Sequence, residues 1–260
     1  MTLGSLASGV ALALTTVREH KMRSFLTVLG VIIGTGAVIG VGSIIAGLDG
    51  AITNILKSFG PNTIVVLRGS AMGGWTLEEQ KRKMLTREDA LAIEERCPSV
   101  EHVSPYLFAN FDQIHKARYK GNDNYNIDMG GTEEGYAAGG TVMLQGRFFT
   151  DSESRHHMPV VVLGEDLGKS FFQGMDAVGK WIDVDGHSLE VIGVMERPAA
   201  SFPGQDDNRI LMPYFTMHKL YPSARENMLI VIAYEGMLTK AEDEVRTVLR
   251  IERKVANNKP

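Results

Sequence analysis

The chain has 260 residues, with 27 Lys and Arg against 31 Asp and Glu, a formal net charge of −4 and a mean hydropathy of −0.05. Taken as averages these describe an ordinary soluble protein, and the slight acidic excess leaves no electrostatic footprint for nucleic acid. The single cysteine, Cys97, excludes an intramolecular disulfide, so packing must hold the fold, in a periplasm or a cytosol alike.

The average conceals a mixture. Leu3, Leu6, Val10, Leu14 and Val17 recur at intervals of three and four, so a helix over residues 3–20 has one apolar face and ends in the basic cluster VREHKMR. Such a helix fits the inner surface of a membrane, with Arg18, His20, Lys21 and Arg23 among lipid headgroups. The alternative is a simple continuation of the helix that follows. From Ser24 to Leu48 run 25 residues without charge or proline. As a helix they reach ~37 Å, enough to cross a hydrocarbon core of ~30 Å with some tilt. A soluble core helix of this length would carry a polar stripe, and a cleaved signal has a shorter apolar run nearer the start. The reading is an uncleaved anchor. Arg18, Lys21 and Arg23 precede the span and Asp49 follows it, and the remainder carries 24 basic and 30 acidic residues. That asymmetry predicts a single pass through the inner membrane, with residues 1–23 cytoplasmic, 24–48 spanning and 49–260 extracytoplasmic.

Within the span, Gly30, Gly34, Gly36 and Gly40 give GVIIG and GAVIG, two small-xxx-small patterns. A lone anchor needs neither. Glycines let a second helix approach closely, and dispersion is the main attraction between helices when the solvent is itself apolar. The expectation is a helix with partners in the membrane.

Beyond Asp49 the reading is mixed α and β. A helical segment, AITNILKSFG, ends at Gly60-Pro61, followed by a strand over residues 62–68 and a glycine loop ending in Trp75. Thr86 and Asp89 form a capping pair for a helix that Pro98 stops. Strands are predicted over residues 100–104 and 109–119, with GNDNYN as a turn. PVVVLG reads as a buried strand leading into a helix, EDLGKSFF. KWIDVDGHSLEVIGVM reads as a hairpin about Asp185-Gly186. PAASFPGQDDN is a loop, residues 209–213 and 228–234 are strands, and the last helix carries an apolar stripe of Ala241, Val245, Val248 and Leu249. The order suggests an α+β domain of two lobes, a βα layer interrupted by a mainly β insert near residues 106–207.

Catalytic chemistry is not visible. There is no GxxxxGK[ST] loop and no GxSxG elbow. His156 and His157 are adjacent and lack spaced metal partners, so they read as a solvated loop. Asp183 and Asp185 read as an exposed edge and turn, Cys97 as structural, and Trp75 as a core or loop-tip residue before a partner anchor. No catalytic residue, cofactor or metal ligand is assigned, and the chain is read as a non-enzyme.

Taken in order, KMRSFLTVLGVIIGTGAVIGVGSIIAGLDGAITNILKSFGPNTIVV, LQGRFFTDSE, PVVVLGEDLGKSFF, AVGKWIDVDGHSLEVIGVM and RILMPYFTM resemble the N-terminal half of MacB-like permeases, the FtsX-type ABC transporter subunits. The resemblance implies a short cytoplasmic helix, a first membrane helix and a two-lobed periplasmic core domain that transmits ATP-driven motion outward. Its implied partners are a separate ABC ATPase subunit, the remaining permease helices or a second permease copy, membrane lipids and a periplasmic adaptor. The chain ends at RTVLRIERKVANNKP, where the family's three later helices would begin, so the expectation is a fragment or a split permease. Two rival readings are a self-contained membrane-anchored binding or adaptor protein and a tethered extracytoplasmic enzyme.

Overall fold

The computed structural model describes residues 21–57, 62–69, 76–109, 113–125, 127–198 and 206–254, with side chains left undescribed at 44–57 and Glu78. The expected helix over 3–20, Arg18, Gly60-Pro61, Trp75 and most of PAASFPGQDDN lie outside the described residues. The chain divides into two units between Thr53 and Asn54.

Helix α1 runs unbroken from Lys21 to Lys57, 37 residues. The sequence suggests a break at Asp49, but the helix continues through Asp49-Gly50. A glycine inside a helix costs only about 1 kcal/mol, and no proline occurs before Pro61 to force a stop.

The second unit is built on one sheet of eleven strands. They are β1 (Thr63–Val66), β2 (Val100–Phe108), β3 (Ala117–Tyr119), β4 (Asn122–Asn124), β5 (Asp128–Thr132), β6 (Met143–Gly146), β7 (Val160–Leu163), β8 (Trp181–Val184), β9 (His187–Met195), β10 (Arg209–Pro213) and β11 (Asn227–Ala233). Their spatial order is β1-β11-β2-β5-β10-β7-β9-β8-β3-β4, with β6 beside β9. β5–β10 and β7–β9 pair parallel and the other pairs antiparallel. Helices α2 (Leu77–Gln80), α3 (Arg87–Arg96), α4 (Asp151–Arg155), α5 (Glu165–Phe172), α6 (Tyr214–Leu220) and α7 (Leu238–Glu252) surround it.

Local sequence explains much of this. Thr86 and Asp89 form the expected reciprocal cap of α3, and Thr76 with Glu79 and Thr150 with Glu153 do the same for α2 and α4. All four residues of β7 are buried, as a strand flanked by β10 and β9 requires. Asp185 and Gly186 both take positive φ, 52° and 86°, which matches the twist of the β8–β9 hairpin. Two expectations need correction. Among the described residues the strand expected over 109–119 is confined to Ala117–Tyr119, and of GNDNYN only Gly121 belongs to the turn. Lys120 and Gly121 turn the chain with φ of 47° and 85°, and Asn122–Asn124 return as β4 paired to β3.

Alternate residues part between the two faces. Val103, Leu229, Val231 and Ala233 pack under α3 and α7 against Ile93, Ala241, Val245 and Val248. Farther along the same face, Val161, Leu163, Ile210 and Met212 meet Leu167 and Phe171 of α5 and Met217 of α6. Tyr106, Val162, Leu211 and Ile230 point the other way, onto Tyr136 and Phe149.

At the joint between β2 and β10, β5 carries Gly130 and Gly131. A Cβ on Gly130 would sit 2.3 Å from the Tyr106 ring, and one on Gly131 would sit 2.3 Å from Met217 Cβ on the opposite face. G131A should therefore lower unfolding free energy by about 2–4 kcal/mol in a denaturant titration, because backbone or helix must shift to admit a methyl group. Ser104 is its counter-example: its hydroxyl is fully buried with no hydrogen-bond partner among the described residues. S104A is expected to be neutral, or stabilising by about 1 kcal/mol, in the same titration.

A third test uses pH. Hydrogen bonds from Arg147, and then from the Thr150 amide, hold the Glu153 carboxyl at about 2, below its ordinary 4.5, against the opposing effect of burial. A depressed carboxylate stabilises above its unfolded value and loses that contribution as pH falls through the folded one. E153Q should cost about 1–2 kcal/mol at pH 7, with the difference from wild type closing between pH 4.5 and 2.

Candidate functional site

Two regions hold the residues that matter for function: the surface of α1 and the polar clusters of the sheet domain. The segment Lys21–Ser43 of α1 is long and apolar enough to cross a membrane, and none of it is buried. Phe25, Leu26, Val31, Ile32, Ile33, Val38 and Ile39 all stand exposed. Thr27 Oγ1 donates to the Arg23 carbonyl at 2.9 Å and Thr35 Oγ1 to the Val31 carbonyl at 2.7 Å, so the helix satisfies its own hydroxyls. Lipid demands that arrangement. Lys21 and Arg23 are exposed on the first turn.

Apart from its chain neighbours and the backbone of its own helical turns, no atom lies within 4 Å of a Cβ built on Gly30, Gly34, Gly36 or Gly40. At about 100° per residue, Gly30, Gly34 and Ala37 line one seam along α1, while Gly36, Gly40 and Ser43 line a second about 120° away. The tandem glycine patterns thus resolve into two shallow grooves, each open to the surroundings of the helix.

In the sheet domain, charged groups are organised as ties between segments. Asp207 heads β10. Its side chain accepts from two Arg209 nitrogens, Nε at 2.6 Å and Nη2 at 3.0 Å, and from the Glu165 amide at 3.3 Å, so it caps α5 from another part of the chain. Gly164 is required there, since a Cβ would lie 2.5 Å from the Asp207 carbonyl oxygen. Asp166 in turn accepts the Asp207 amide at 2.6 Å and pairs with Arg197. Burial opposes the charge on Asp166, but that amide and Arg197 together hold its carboxyl below the usual range.

A second cluster gathers at the β8–β9 turn. Asp185 Oδ2 lies 2.7 Å from His115 Nδ1 and accepts from the Tyr221 hydroxyl at 3.1 Å, while Oδ1 accepts from the Lys116 amide at 2.8 Å. Burial, and then the Asp185 carboxylate, push the Tyr221 hydroxyl up, which keeps it a donor. The rings of His115 and His187 stand edge-on to Tyr221 at 5.8 and 5.7 Å. Sequence reading misses this cluster: Asp185 reads as a turn residue, and nothing local links it to a histidine 70 positions earlier.

His156 and His157 are exposed at the end of α4, as a solvated position predicts, and His156 Nδ1 lies 2.8 Å from the Ser152 carbonyl. Cys97 is buried at the C-cap of α3, where burial, and then nearby Glu244, raise its thiol. Among the described residues no group of three or more His, Cys, Asp or Glu is arranged to hold a metal ion. In the sheet domain the polar side chains brace the fold, and along α1 the glycines leave open grooves.

Comparison with known proteins agrees with this organisation. The chain is 30% identical over 208 residues to the macrolide export ATP-binding/permease protein MacB of Syntrophobacter fumaroxidans, covering 80% of this chain and 29% of that protein. It is 26% identical over 254 residues to the protein of the same name from Rhodopseudomonas palustris, covering 96% and 38%. The chain therefore spans well under half the length of these relatives. The periplasmic region of MacB from Actinobacillus actinomycetemcomitans has the same fold, with a TM-score of 0.62 at 19% identity over 76% of this chain and 87% of that one. The extracellular domain of the noncanonic ABC-type transporter YknZ from Gram-positive bacteria superposes with a TM-score of 0.56 at 20% identity, over 75% and 96%. The sequence profile of the MacB-like periplasmic core domain matches residues 24–248, and the chain belongs to that family.

Proposed function

We propose that this chain is the N-terminal part of a MacB/FtsX-type ABC permease, in which α1 anchors in the inner membrane and the sheet domain works outside it. The observation that carries the reading is the joining, in one chain, of an exposed apolar helix to a MacB-like periplasmic core domain. The span is assigned to residues 24–48 and the outer domain to 49–260, with an inserted lobe near 106–207. Lys21 and Arg23, with Arg18, favour a cytoplasmic N-terminus through the positive-inside bias and anionic headgroups.

In this role the chain does no chemistry of its own. An ABC ATPase, in this reading a separate subunit, supplies the energy, and the outer domain passes the motion to an exported substrate or a periplasmic adaptor. The names of the relatives make macrolide export the first substrate class to test. One membrane helix cannot enclose a pathway, so further permease helices or a second permease copy must complete it. The two seams of α1 suit that arrangement, because each gives one neighbouring helix close backbone approach.

A phosphatase that is active only in the periplasm, fused after Pro260, should be active; activity of a cytosolic reporter alone would reverse the orientation. G34L fills the first seam and G40L the second, and leucine is well tolerated in lipid. Each substitution should leave insertion intact while lowering copurification with a full-length MacB-type permease, the double variant more than either. Undiminished association of the double variant would remove the glycines from the interface.

A further inference from the structure

We propose that the open face of β4, β3 and β8 is a glycan-binding platform, on which Trp181 and Tyr125 stack against the sugar rings of a neutral, extended polysaccharide strand. One face of these strands is turned inward: Ala117, Tyr119, Ile182, Val184 and Leu189 are buried with Phe171 and Phe172 of α5. Alternation sends the residues between them the other way. Asp123, Arg118, Asp183 and Ser188 therefore form one row across β4, β3, β8 and β9, and Trp181 lies opposite Glu190 two positions along.

Trp181 is 52% exposed and Tyr125 59%, so neither ring serves the core. Tyr125, one residue past the end of β4, is held in place. Its hydroxyl donates to Asp123 Oδ2 at 3.3 Å, and Lys116 Nζ stands 5.9 Å from its ring. β8 and β4 are both antiparallel to β3 and so run parallel to each other. Trp181 comes two residues before Asp183 and Tyr125 two after Asp123, which puts the aromatic residues at opposite corners of the platform. Their Cα atoms are offset by ~10 Å across the strands and ~14 Å along them. Between the corners lie planar polar groups fixed by their own bonds. Arg118 donates to Asp123 at 2.5 and 2.9 Å, and Asp183 accepts the Gly186 amide at 3.1 Å.

This chemistry selects the ligand. Indole and phenol rings offer a flat apolar surface to the C–H face of a pyranose, while carboxylates and a guanidinium beside them take its hydroxyls. Lys116 and Arg118 are interleaved with Asp123 and Asp183, so no field of one sign draws an anion or a cation. A protein partner fits less well, because the core of a protein interface is depleted of charge and here four charged side chains separate the two rings. An equatorially linked chain of glucose or N-acetylglucosamine is a flat ribbon, which matches a flat face and can reach both corners. The inference stands apart from the permease reading and does not depend on it.

Calorimetric titration of the intact chain in lipid nanodiscs tests it, with cellohexaose, chitohexaose and the matching disaccharides. At least one hexasaccharide should bind about tenfold more tightly than its disaccharide, since only the longer chain reaches both rings. W181A and Y125A should each lower hexasaccharide affinity about tenfold while keeping the wild-type unfolding midpoint. In a W75F background Trp181 is the chain's only indole, and its emission should shift to the blue as sugar covers it. No binding of either hexasaccharide at millimolar concentration, equal affinity for both lengths, or undiminished binding in either variant would overturn the proposal. Should a variant unfold, the emission of Trp181 decides: a saturable shift with the hexasaccharide supports the platform, and an unchanged spectrum refutes it.

Discussion

Strand β5 must pass between β2 and β10 with no side chain at two successive positions, and the single sheet of eleven strands depends on that passage. On one face the Tyr106 ring occupies the space over Gly130, and on the other Met217 of α6 occupies the space over Gly131. β1, β11 and β2 lie on one side of this joint, and β10, β7, β9, β8, β3 and β4 on the other. Close packing leaves no room for even one methyl group at such a point. The aromatic layer of Tyr106, Tyr136 and Phe149 and the packing of α6 are therefore positioned by the same two missing side chains.

The two units of the chain place their apolar side chains in opposite ways. In the sheet domain apolar side chains are buried and charges are tied across segments, as the Asp207–Arg209 and Asp166–Arg197 pairs show. Along Lys21–Ser43 the apolar side chains point outward, and the Thr27 and Thr35 hydroxyls are turned back onto the helix carbonyls. A mean hydropathy near zero is the average of these two opposite patterns and describes neither.

Elements with a strong local code were legible in the sequence: the uncharged run of α1, the Thr86–Asp89 cap, the buried β7 with α5 behind it, the Asp185-Gly186 hairpin and the stripe of α7. β5 was not, because DMGGT has neither β-branched residues nor alternation until its final threonine, and it is a strand through what its neighbours do. α6 follows β10 without a side-chain cap, so YFTMHKL carries no start signal. The contacts of Asp185 with His115 and the capping of α5 by Asp207 join residues tens of positions apart, and one sequence has no periodicity that reports such pairs. The glycines of α1 were legible as a pattern, but their division into two grooves needs the helical angle between residues 34 and 40.

The far strand β4 has a consequence for how the domain behaves in a crowded compartment. The edge strand of a sheet is where another chain could add a strand and start aggregation. β4 offers three residues, Asn122, Asp123 and Asn124, none of them apolar, and Asp123 is held by Arg118 across the strand pair at 2.5 and 2.9 Å. A short polar edge carrying a fixed charge is a poor partner for an incoming strand, so the same ion pair that closes the hairpin also keeps this edge soluble.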